Sequence, residues 1–186
     1  FWDKKIGIIS ILLLPFSLIV LFLIFLKKNL TKNNTFKIPV ICVGNIYIGG
    51  TGKTPMSIFL SKELVRLGKK PVIIRKFYKY HVDEHDLIKK SFKSLILNSK
   101  RTAGIREAIK SGYDVAVLDD GFQDYSIKKN LNIICFNQNQ LIGNGLILPA
   151  GPLRESLDSL TNADIIVING QRNKKFEEKI LKINCD

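Results

Sequence analysis

The order of apolar and polar positions divides the chain into one long apolar segment and a series of short apolar runs. Residues 6–26 read IGIISILLLPFSLIVLFLIFL and carry no charged side chain across 21 positions. As a helix, this segment would measure about 32 Å, which is enough to cross a bilayer. The pattern predicts a helix that spans or deeply enters a membrane. A cleaved signal peptide and a buried core helix are the alternatives, and the missing A-x-A-like cleavage site argues against the signal peptide.

After the polar residues 27–37, six short runs rich in β-branched residues alternate with helical segments. Continuous apolar runs of this kind are typical of buried strands in a parallel sheet. The runs are 39–44, 71–75, 94–98, 114–120, 132–136 and 164–170. The predicted helices are 54–67 and 101–111, which end at the caps Gly68 and Gly112, and 84–91 and 154–160. The alternation predicts an α/β fold: a P-loop NTPase-like three-layer domain with a mainly parallel sheet, preceded by an N-terminal membrane-associated helix.

The charge of the chain narrows the choice of partners. The formal net charge is +13, from 29 Lys and Arg against 16 Asp and Glu. This balance favours an anionic partner such as a nucleotide or an acidic membrane surface, although a solvated lysine-rich surface explains it equally well. The lysines form scattered pairs rather than an arginine-rich arm, so nucleic acid is not expected. Lysines at 27, 28, 32 and 37 follow the apolar segment and favour a cytoplasmic location for the rest of the chain.

Residues 43–55 read VGNIYIGGTGKTP and end like the phosphate-binding pattern G-x-x-x-x-G-K-[ST]. Tyr47 occupies the position of the first glycine, so the match is partial. The turn joins a predicted strand to a predicted helix, as a P-loop does. Its glycines allow backbone N–H groups to turn inward, Lys53 adds a positive charge, and Thr54 offers a hydroxyl to Mg²⁺. The stretch predicts a nucleoside triphosphate site, with a ligand-free turn as the alternative.

The stretch VAVLDDGFQD at 115–124 carries two carboxylates to the end of a predicted strand. This is the arrangement of a Walker B strand, in which one carboxylate holds Mg²⁺ and its neighbour orients a second ligand. Because ligands collect at the carboxyl ends of strands in open α/β sheets, Asp119 and Asp120 are expected to face the P-loop. A solvated strand end is the alternative.

The stretch HVDEH at 81–85 has three interpretations. It satisfies H-x-x-E-H, in which His81 and His85 bind zinc with Glu84 as the base, but no third ligand is identifiable downstream. Alternatively, Asp83 or Glu84 accepts the proton of an attacking hydroxyl in phosphoryl transfer. Ordinary surface carboxylates at a helix start are the third possibility.

Three stretches together resemble one family. VGNIYIGGTGKTP, DDGFQD and IGNGLILPAGPLRE at 142–155 are similar to segments of the tetraacyldisaccharide 4′-kinases, the lipid A kinases of Gram-negative envelope synthesis. The last stretch is the most diagnostic, because LPAGPLRE has no general P-loop meaning. The resemblance covers nearly the whole chain but only the first part of a typical member, so the kinase domain is expected to be incomplete at its C-terminal end.

The resemblance implies a set of functional residues. Arg75 is expected near the phosphates of ATP, Thr54 and the acidic pair are expected to hold Mg²⁺, and Asp83 is expected to be the catalytic base. The implied phosphate-binding residues are Gly49, Gly50, Thr51, Gly52, Lys53, Thr54 and Arg75. The implied catalytic residues are Asp83, Lys53, Asp119 and Asp120. The chain departs from the family pattern at Val82 and His85, where Gly and Pro are usual, and at Asp124, where His is usual.

The resemblance further implies an ATP-dependent kinase that transfers the γ-phosphate to the 4′-hydroxyl of tetraacyldisaccharide 1-phosphate. The expected partners are this acylated disaccharide lipid and the anionic inner-membrane leaflet, at the cytoplasmic face of the bacterial inner membrane. No nucleic acid is expected and no protein partner is inferred. The predicted division is a membrane helix at 1–29, a polar linker at 30–37 and a P-loop kinase domain at 38–186.

Two other functions compete with this one. The first is a membrane-anchored nucleotide-binding module or truncated product without kinase activity, which the departures from the family pattern favour. The second is a P-loop GTPase or ATPase coupled to transport. A GTPase calls for a guanine-specifying N-K-x-D segment, which the sequence does not contain.

Overall fold

The structure is a computed structural model, and it describes Trp2, residues 6–77 and residues 82–184. The side chains of residues 82–84 and 184 lie outside this description. Within these ranges the chain forms helices, strands and one short 3₁₀ helix. In chain order they are α1 (Ile8–Leu30), β1 (Val40–Gly44), α2 (Lys53–Arg66), β2 (Pro71–Lys76), α3 (Val82–Ser91), β3 (Leu95–Asn98), α4 (Arg101–Lys110), β4 (Val115–Asp119), β5 (Leu131–Asn137), the 3₁₀ helix (Leu157–Asn162), β6 (Ile165–Asn169) and α5 (Lys174–Asn184).

The strands form one six-stranded sheet in the order β3-β2-β4-β1-β5-β6. β1 pairs with β4 in parallel, and β2 pairs in parallel with both β3 and β4. Parallel neighbours require crossover connections, and helices α2, α3 and α4 lie within the connections between these strands. All six predicted strands are present, and the predicted α/β fold with a mainly parallel sheet after an N-terminal apolar helix is confirmed.

The chain divides into two compact units, which are described separately below. The core unit comprises residues 33–44 and 52–133, and the anchor unit comprises residues 1–32, 45–51 and 134–186. The core unit contains β1 to β4 and helices α2 to α4. The anchor unit contains α1, the 3₁₀ helix, β6 and α5. The predicted division at residues 30 and 38 stays a prediction.

The interior of the core unit depends on the alternation of side chains along its strands. Even-numbered residues of β2 and β4 pack against α4, because successive strand residues point to opposite faces of a sheet. The buried cluster on this face is Val40, Val72, Ile74, Ile96, Ile105, Ala108, Ala116, Leu118 and Ile127. The odd-numbered residues of the same strands therefore face the side of the sheet on which α2 packs. This alternation places the polar ends of β2 and β4 on the α2 side.

The anchor unit is organised around α1. Its most apolar window has a mean hydropathy of 3.0 and is only 11% buried, so by length and composition α1 is able to cross a membrane. Ser10 and Ser17 are its buried residues. Ser17 Oγ donates to the carbonyl of Ile147 at 2.8 Å and accepts from the N–H of Ala150 at 3.1 Å. Asn144 Nδ2 donates to Ser10 Oγ at 3.2 Å. One face of α1 is therefore fixed to the segment 144–150 by polar contacts.

The helix predictions differ in outcome. α2 and α4 end where the sequence predicted, since Gly68 and Gly112 follow them with φ of 77° and 78°. The helix predicted near 154–160 is a 3₁₀ helix at Leu157–Asn162. Helix α5 was not predicted, because its sequence KKFEEKILKIN is mostly charged. It forms by burying Phe176 and Ile180, which are four residues apart and so share one face.

Candidate active site

The ends of β2 and β4 bring a cation and a carboxylate together in the core unit. The parallel register aligns Ile74 with Leu118, so the next residue of each strand, Arg75 and Asp119, are neighbours on the α2 side. Arg75 Nη1 donates to Asp119 Oδ2 at 2.5 Å. The Asp119 side chain has no exposed area and that of Arg75 is 10% exposed. Two ionised groups so deeply buried require each other as partners, because either alone would carry an uncompensated charge.

The first turn of α2 completes the contacts of Asp119. Gly52 precedes the helix in a left-handed conformation, with φ 82° and ψ 18°, which glycine adopts without steric cost. Thr54 Oγ1 donates to Asp119 Oδ2 at 3.1 Å, and Arg75 Nη1 lies 3.1 Å from the same hydroxyl. Ser57, one turn later, donates from Oγ to Asp119 Oδ1 at 3.1 Å. Both oxygens of the carboxylate are therefore engaged by buried polar groups.

Lys53 and Asp120 form the more exposed part of the site. Lys53 Nζ lies 3.6 Å from Asp120 Oδ1, with side chains 13% and 31% exposed. Asp120 has φ 56°, a left-handed backbone that non-glycine residues seldom adopt. The N-terminus of α2 carries a partial positive charge in addition to that of Lys53. The arrangement therefore offers an anion a helix N-terminus and a lysine beside two carboxylates.

Arg101 and Ser57 are site residues that the sequence analysis missed. Arg101 is the first residue of α4, and its Nη2 donates to the carbonyl of Asp120 at 2.6 Å. Its Nη1 lies 3.5 Å from Asp124 Oδ2. A signal for Arg101 was present, because it follows β3 closely and so lies at the same carboxyl edge of the sheet as Asp119. Ser57 gave no such signal, since a serine within a helix is ordinary.

The first half of the glycine-rich loop belongs to the anchor unit. Asn137 Nδ2 donates to the carbonyl of Gly50 at 3.2 Å, which connects this loop to the end of β5. A Cβ atom at Gly49 would lie 3.0 Å from Gln140 Oε1. Thr51 is 1% exposed, and its Oγ1 has no hydrogen-bond partner within the described part of the chain. A buried hydroxyl in this state is available to a ligand oxygen, since such groups are normally paired.

The residues at 81–85 are only partly described. His81 and the side chains of Asp83 and Glu84 lie outside the described residues, so the base and zinc interpretations that depend on them stay predictions. The backbone of residues 82–84 starts helix α3. His85 is buried, and its ring stacks on Phe77 with a centroid distance of 5.8 Å and an angle of 20°. Among the described residues, no group of three or more His, Cys, Asp or Glu is arranged to hold a metal ion.

The donor set at the end of β4 is compatible with Mg²⁺. Magnesium prefers hard oxygen ligands and usually takes one or two carboxylates together with phosphate oxygens and water. Thr54 and Asp119 supply a hydroxyl and a carboxylate that already lie 3.1 Å apart, and the carboxylate of Asp120 follows directly in the chain. These three residues fit a magnesium ion that is bound together with a nucleotide.

Cys42 lies under the acidic turn but has no chemical role there. A Cβ atom at Gly121 would be 3.4 Å from Cys42 Sγ. Burial raises the pKa of the Cys42 thiol to about 12, although Lys129 and Arg101 partly oppose this shift. The thiol therefore stays protonated at neutral pH, which excludes it as a nucleophile.

Comparisons with known proteins agree on one family. Residues 9–185 match the family model described as LpxK, tetraacyldisaccharide-1-P 4′-kinase. A tetraacyldisaccharide 4′-kinase of Pelagibacter ubique is 46% identical over 187 residues, covering 99% of this chain and 59% of the relative. Another from Colwellia psychrerythraea is 34% identical over 171 residues, covering 82% of this chain and 50% of the relative. The chain thus spans about half to three-fifths of the length of these curated relatives.

A solved structure supports the same relationship at the level of fold. The crystal structure of LpxK from Aquifex aeolicus in complex with ATP has a TM-score of 0.75 and 29% sequence identity. The match covers 87% of this chain and 59% of that one. The α/β arrangement described above is therefore shared with a protein whose complex contains ATP.

Proposed function

Because the chain belongs to the tetraacyldisaccharide-1-P 4′-kinase family, we propose that the protein transfers the γ-phosphate of ATP to the 4′-hydroxyl of tetraacyldisaccharide 1-phosphate. The observation that carries this proposal is the hydrogen-bonded group of Thr54, Arg75 and Asp119 at the start of α2. It joins the end of a glycine-rich loop to an acidic strand end, which are the two parts that a P-loop phosphotransferase requires.

The proposed mechanism assigns a separate task to each part of the site. Phosphoryl transfer depends mainly on positioning and on neutralising negative charge. Lys53 and the N–H groups at the start of α2 hold the phosphates, together with the loop residues Gly49, Gly50, Thr51 and Gly52. Arg75 holds Asp119 and Thr54 in place and adds positive charge. When bound, Mg²⁺ neutralises charge on the phosphates, and Thr54, Asp119 and Asp120 would hold it.

The base in this proposal is Asp83, which accepts the proton of the acceptor hydroxyl. Its position at the start of α3, the first element after β2, supports the assignment, since α2 and α3 pack together within the core unit. Glu84 is the alternative acceptor at the same helix start. The variant Asp83→Ala distinguishes between these two candidate bases. If Asp83→Ala retains activity, Glu84 is the base.

The membrane is the proposed location of the acceptor lipid. Ser17 lies nine residues after Ile8, about 14 Å along the helix, and its hydroxyl is bonded to residues 147 and 150. If α1 crossed the bilayer alone, this segment would lie near the middle of the hydrocarbon, where unpaired backbone groups are costly. The contacts therefore support entry of α1 into one leaflet, together with residues 144–150. We propose the cytoplasmic leaflet, with residues 1–29 as the anchor, 30–37 as the linker and 38–186 as the kinase domain.

The proposal is tested by transfer of labelled γ-phosphate from ATP to tetraacyldisaccharide 1-phosphate in detergent micelles, using the complete reading frame that contains this sequence. We expect Lys53→Ala to lower the rate by about 100-fold or more, the scale of losing one charge-stabilising donor. Lys62→Ala is the matched control, since Lys62 is an exposed lysine of the same helix. Wild-type rates in Lys53→Ala would remove Lys53 from the mechanism.

The same assay decides between the kinase and the nucleotide-binding module. ATP binding is measured in parallel by equilibrium titration. A wild-type protein that binds ATP with Mg²⁺ but transfers no phosphate would support the module without kinase activity. That outcome would direct attention to Val82, His85 and Asp124, where this chain departs from the family pattern.

A further inference from the structure

Arg101 is a largely buried cation that the proposed mechanism does not use. It begins α4 and its side chain is 10% exposed. A charge this deeply buried must be paired and hydrogen-bonded to be tolerated. Its hydrogen bonds within the described residues are directed to the end of β4 and to the residues that follow it, so it belongs to the acidic turn and not to the hydrophobic cluster.

The guanidinium of Arg101 holds the backbone at the two carboxylates. Nη2 donates to the carbonyl of Asp120 at 2.6 Å and lies 3.4 Å from the carbonyl of Asp119. Asp120 has a left-handed backbone, and side chains other than glycine adopt this conformation only where the surroundings enforce it. The N–H of Asp120 is also fixed, since it donates to the carbonyl of Val43 at 2.9 Å. The direction of the Asp120 carboxylate therefore depends on the donation from Arg101.

Asp124 fixes Arg101 from the other side. Its Oδ2 lies 3.5 Å from Arg101 Nη1, and its Oδ1 accepts from Ser126 Oγ at 2.6 Å and from the N–H of Ser126 at 3.3 Å. Its own N–H donates to the carbonyl of Gly121 at 3.0 Å, which closes the turn. The carboxylate is thus held by Ser126 as well as by Arg101. A contact series therefore leads from Asp124 through Arg101 to the backbone of Asp120.

We propose that Arg101 and Asp124 are a positioning pair that sets the two carboxylates after β4 for nucleotide bound with Mg²⁺. The inference rests on the proposed function, because it assumes that Asp119 and Asp120 hold the magnesium of a magnesium nucleotide. Neither residue of the pair contacts the nucleotide in this proposal. The pair acts through the backbone, so it affects the magnesium-dependent part of binding and leaves the contribution of Lys53 and the loop unchanged.

The test is a titration of the full-length protein with a fluorescent ATP analogue, with Mg²⁺ and with EDTA. Arg101→Lys keeps the positive charge, but its single ammonium group cannot replace the two separate donors of the guanidinium. Asp124→Asn keeps an acceptor for Ser126 but loses the negative charge. We expect each variant to bind the magnesium nucleotide about tenfold more weakly, while affinity in EDTA changes less than about twofold. Arg66→Gln, an exposed arginine of α2, is the control and leaves both affinities unchanged.

The double variant tests whether the two residues act as one pair. If they do, the double variant of Arg101→Lys with Asp124→Asn binds the magnesium nucleotide no more weakly than the single variant with the lower affinity. The reason is that the effects of substitutions at interacting residues are not additive. Equal losses with Mg²⁺ and with EDTA would overturn the inference and leave the pair a structural role only. Wild-type binding in both single variants would also overturn it. A wild-type protein that does not bind the magnesium nucleotide would refute the proposed function itself.

Discussion

At the residue scale, the two neighbouring carboxylates differ in what surrounds them. Asp119 is fully buried and accepts hydrogen bonds from Thr54, Ser57 and Arg75. Asp120 is 31% exposed and forms an ion pair with Lys53 at 3.6 Å. Removing one member of a buried pair leaves an uncompensated charge, whereas removing one member of a partly exposed pair leaves a group that water solvates. The two residues should therefore contribute very differently to stability.

We expect Asp119→Asn to lower the free energy of unfolding by about 3 kcal/mol, because the buried charge of Arg75 loses its partner. Asp120→Asn should lower the free energy of unfolding by less than about 1 kcal/mol, because Asn also tolerates the left-handed backbone of this position. Urea unfolding followed by circular dichroism measures both values. Equal losses in the two variants would contradict the assignment of Asp119 as the structural centre of the site.

A second expectation at this scale concerns Cys42. Burial raises the pKa of its thiol to about 12, so at pH 8 the group is protonated in the folded protein, and a protonated thiol is a poor nucleophile. Iodoacetamide at pH 8 should leave Cys42 unmodified until the protein is unfolded by guanidinium. Peptide mass spectrometry, which distinguishes Cys42 from the other cysteines, provides the measurement. Rapid labelling of Cys42 in the folded protein would show that the core unit opens readily around β1.

The part of the candidate site that lies at strand ends and in the glycine-rich loop was predictable from the sequence. Lys53, Thr54, Asp119 and Asp120 were expected together because carboxyl ends of parallel strands share one edge of a sheet. The contact of Arg75 with Asp119 needed the register of β2 against β4, which the sequence does not specify. Packing likewise determines which face of a helix contacts the strand end and which backbone conformation a loop adopts. The role of Asp83 stays a prediction.

At the element scale, β1, β2, β4 and β5 were predictable because burial leaves continuous apolar runs, such as PVII of β2. β6 has the same kind of apolar run, but it is exposed at both ends, so the prediction of a buried strand was wrong there. Helix boundaries followed from Gly68 and Gly112. The segment 157–162 is too short and polar to specify more than a single turn, and it forms a 3₁₀ helix. α5 has apolar residues at Phe176, Ile180 and Ile183, the i, i+4, i+7 spacing of an amphipathic helix, so the sequence carried a signal for it that the analysis missed among the charged residues.

The packing of α4 on the sheet supplies a test at this scale. A Cβ atom at Gly104 would lie 2.9 Å from Ile74 Cγ2 and 3.5 Å from Ile96 Cγ2. Alanine improves helix propensity by about 1 kcal/mol, but overpacking against a fully buried, β-branched isoleucine costs about 1–3 kcal/mol. We therefore expect Gly104→Ala to lower the melting temperature and Gly104→Val to lower it further. Differential scanning fluorimetry measures both changes.

The control for this prediction is Glu107→Ala on the exposed face of α4. It changes helix propensity without adding volume at the sheet, so we expect little change in melting temperature. A stabilising effect of Gly104→Ala would mean that α4 is free to move away from β2 by a few tenths of an ångström.

At the scale of the whole molecule, the membrane helix and the net charge act together. α1 exposes large apolar side chains along most of its length and carries Lys27 and Lys28 in its last turn. With a formal charge of +13 in the chain, the proposed anchoring combines attraction to an anionic surface with retention by the apolar helix. We expect flotation with vesicles to be stronger for anionic than for zwitterionic lipid, and salt to reduce the difference, because screening weakens only the electrostatic contribution.

The apolar contribution is tested by placing a charge on α1. Phe22 is 59% exposed, and Phe59, on α2, is 58% exposed, so the two phenylalanines are matched in size and exposure. A lysine within hydrocarbon costs about 2.5–3.5 kcal/mol, so Phe22→Lys should weaken vesicle binding about 100-fold. Phe59→Lys should not weaken it, and on anionic vesicles its added charge should favour binding slightly. Equal loss in both variants would mean that α2 also enters the membrane, and no loss in Phe22→Lys would mean that α1 is not the anchor.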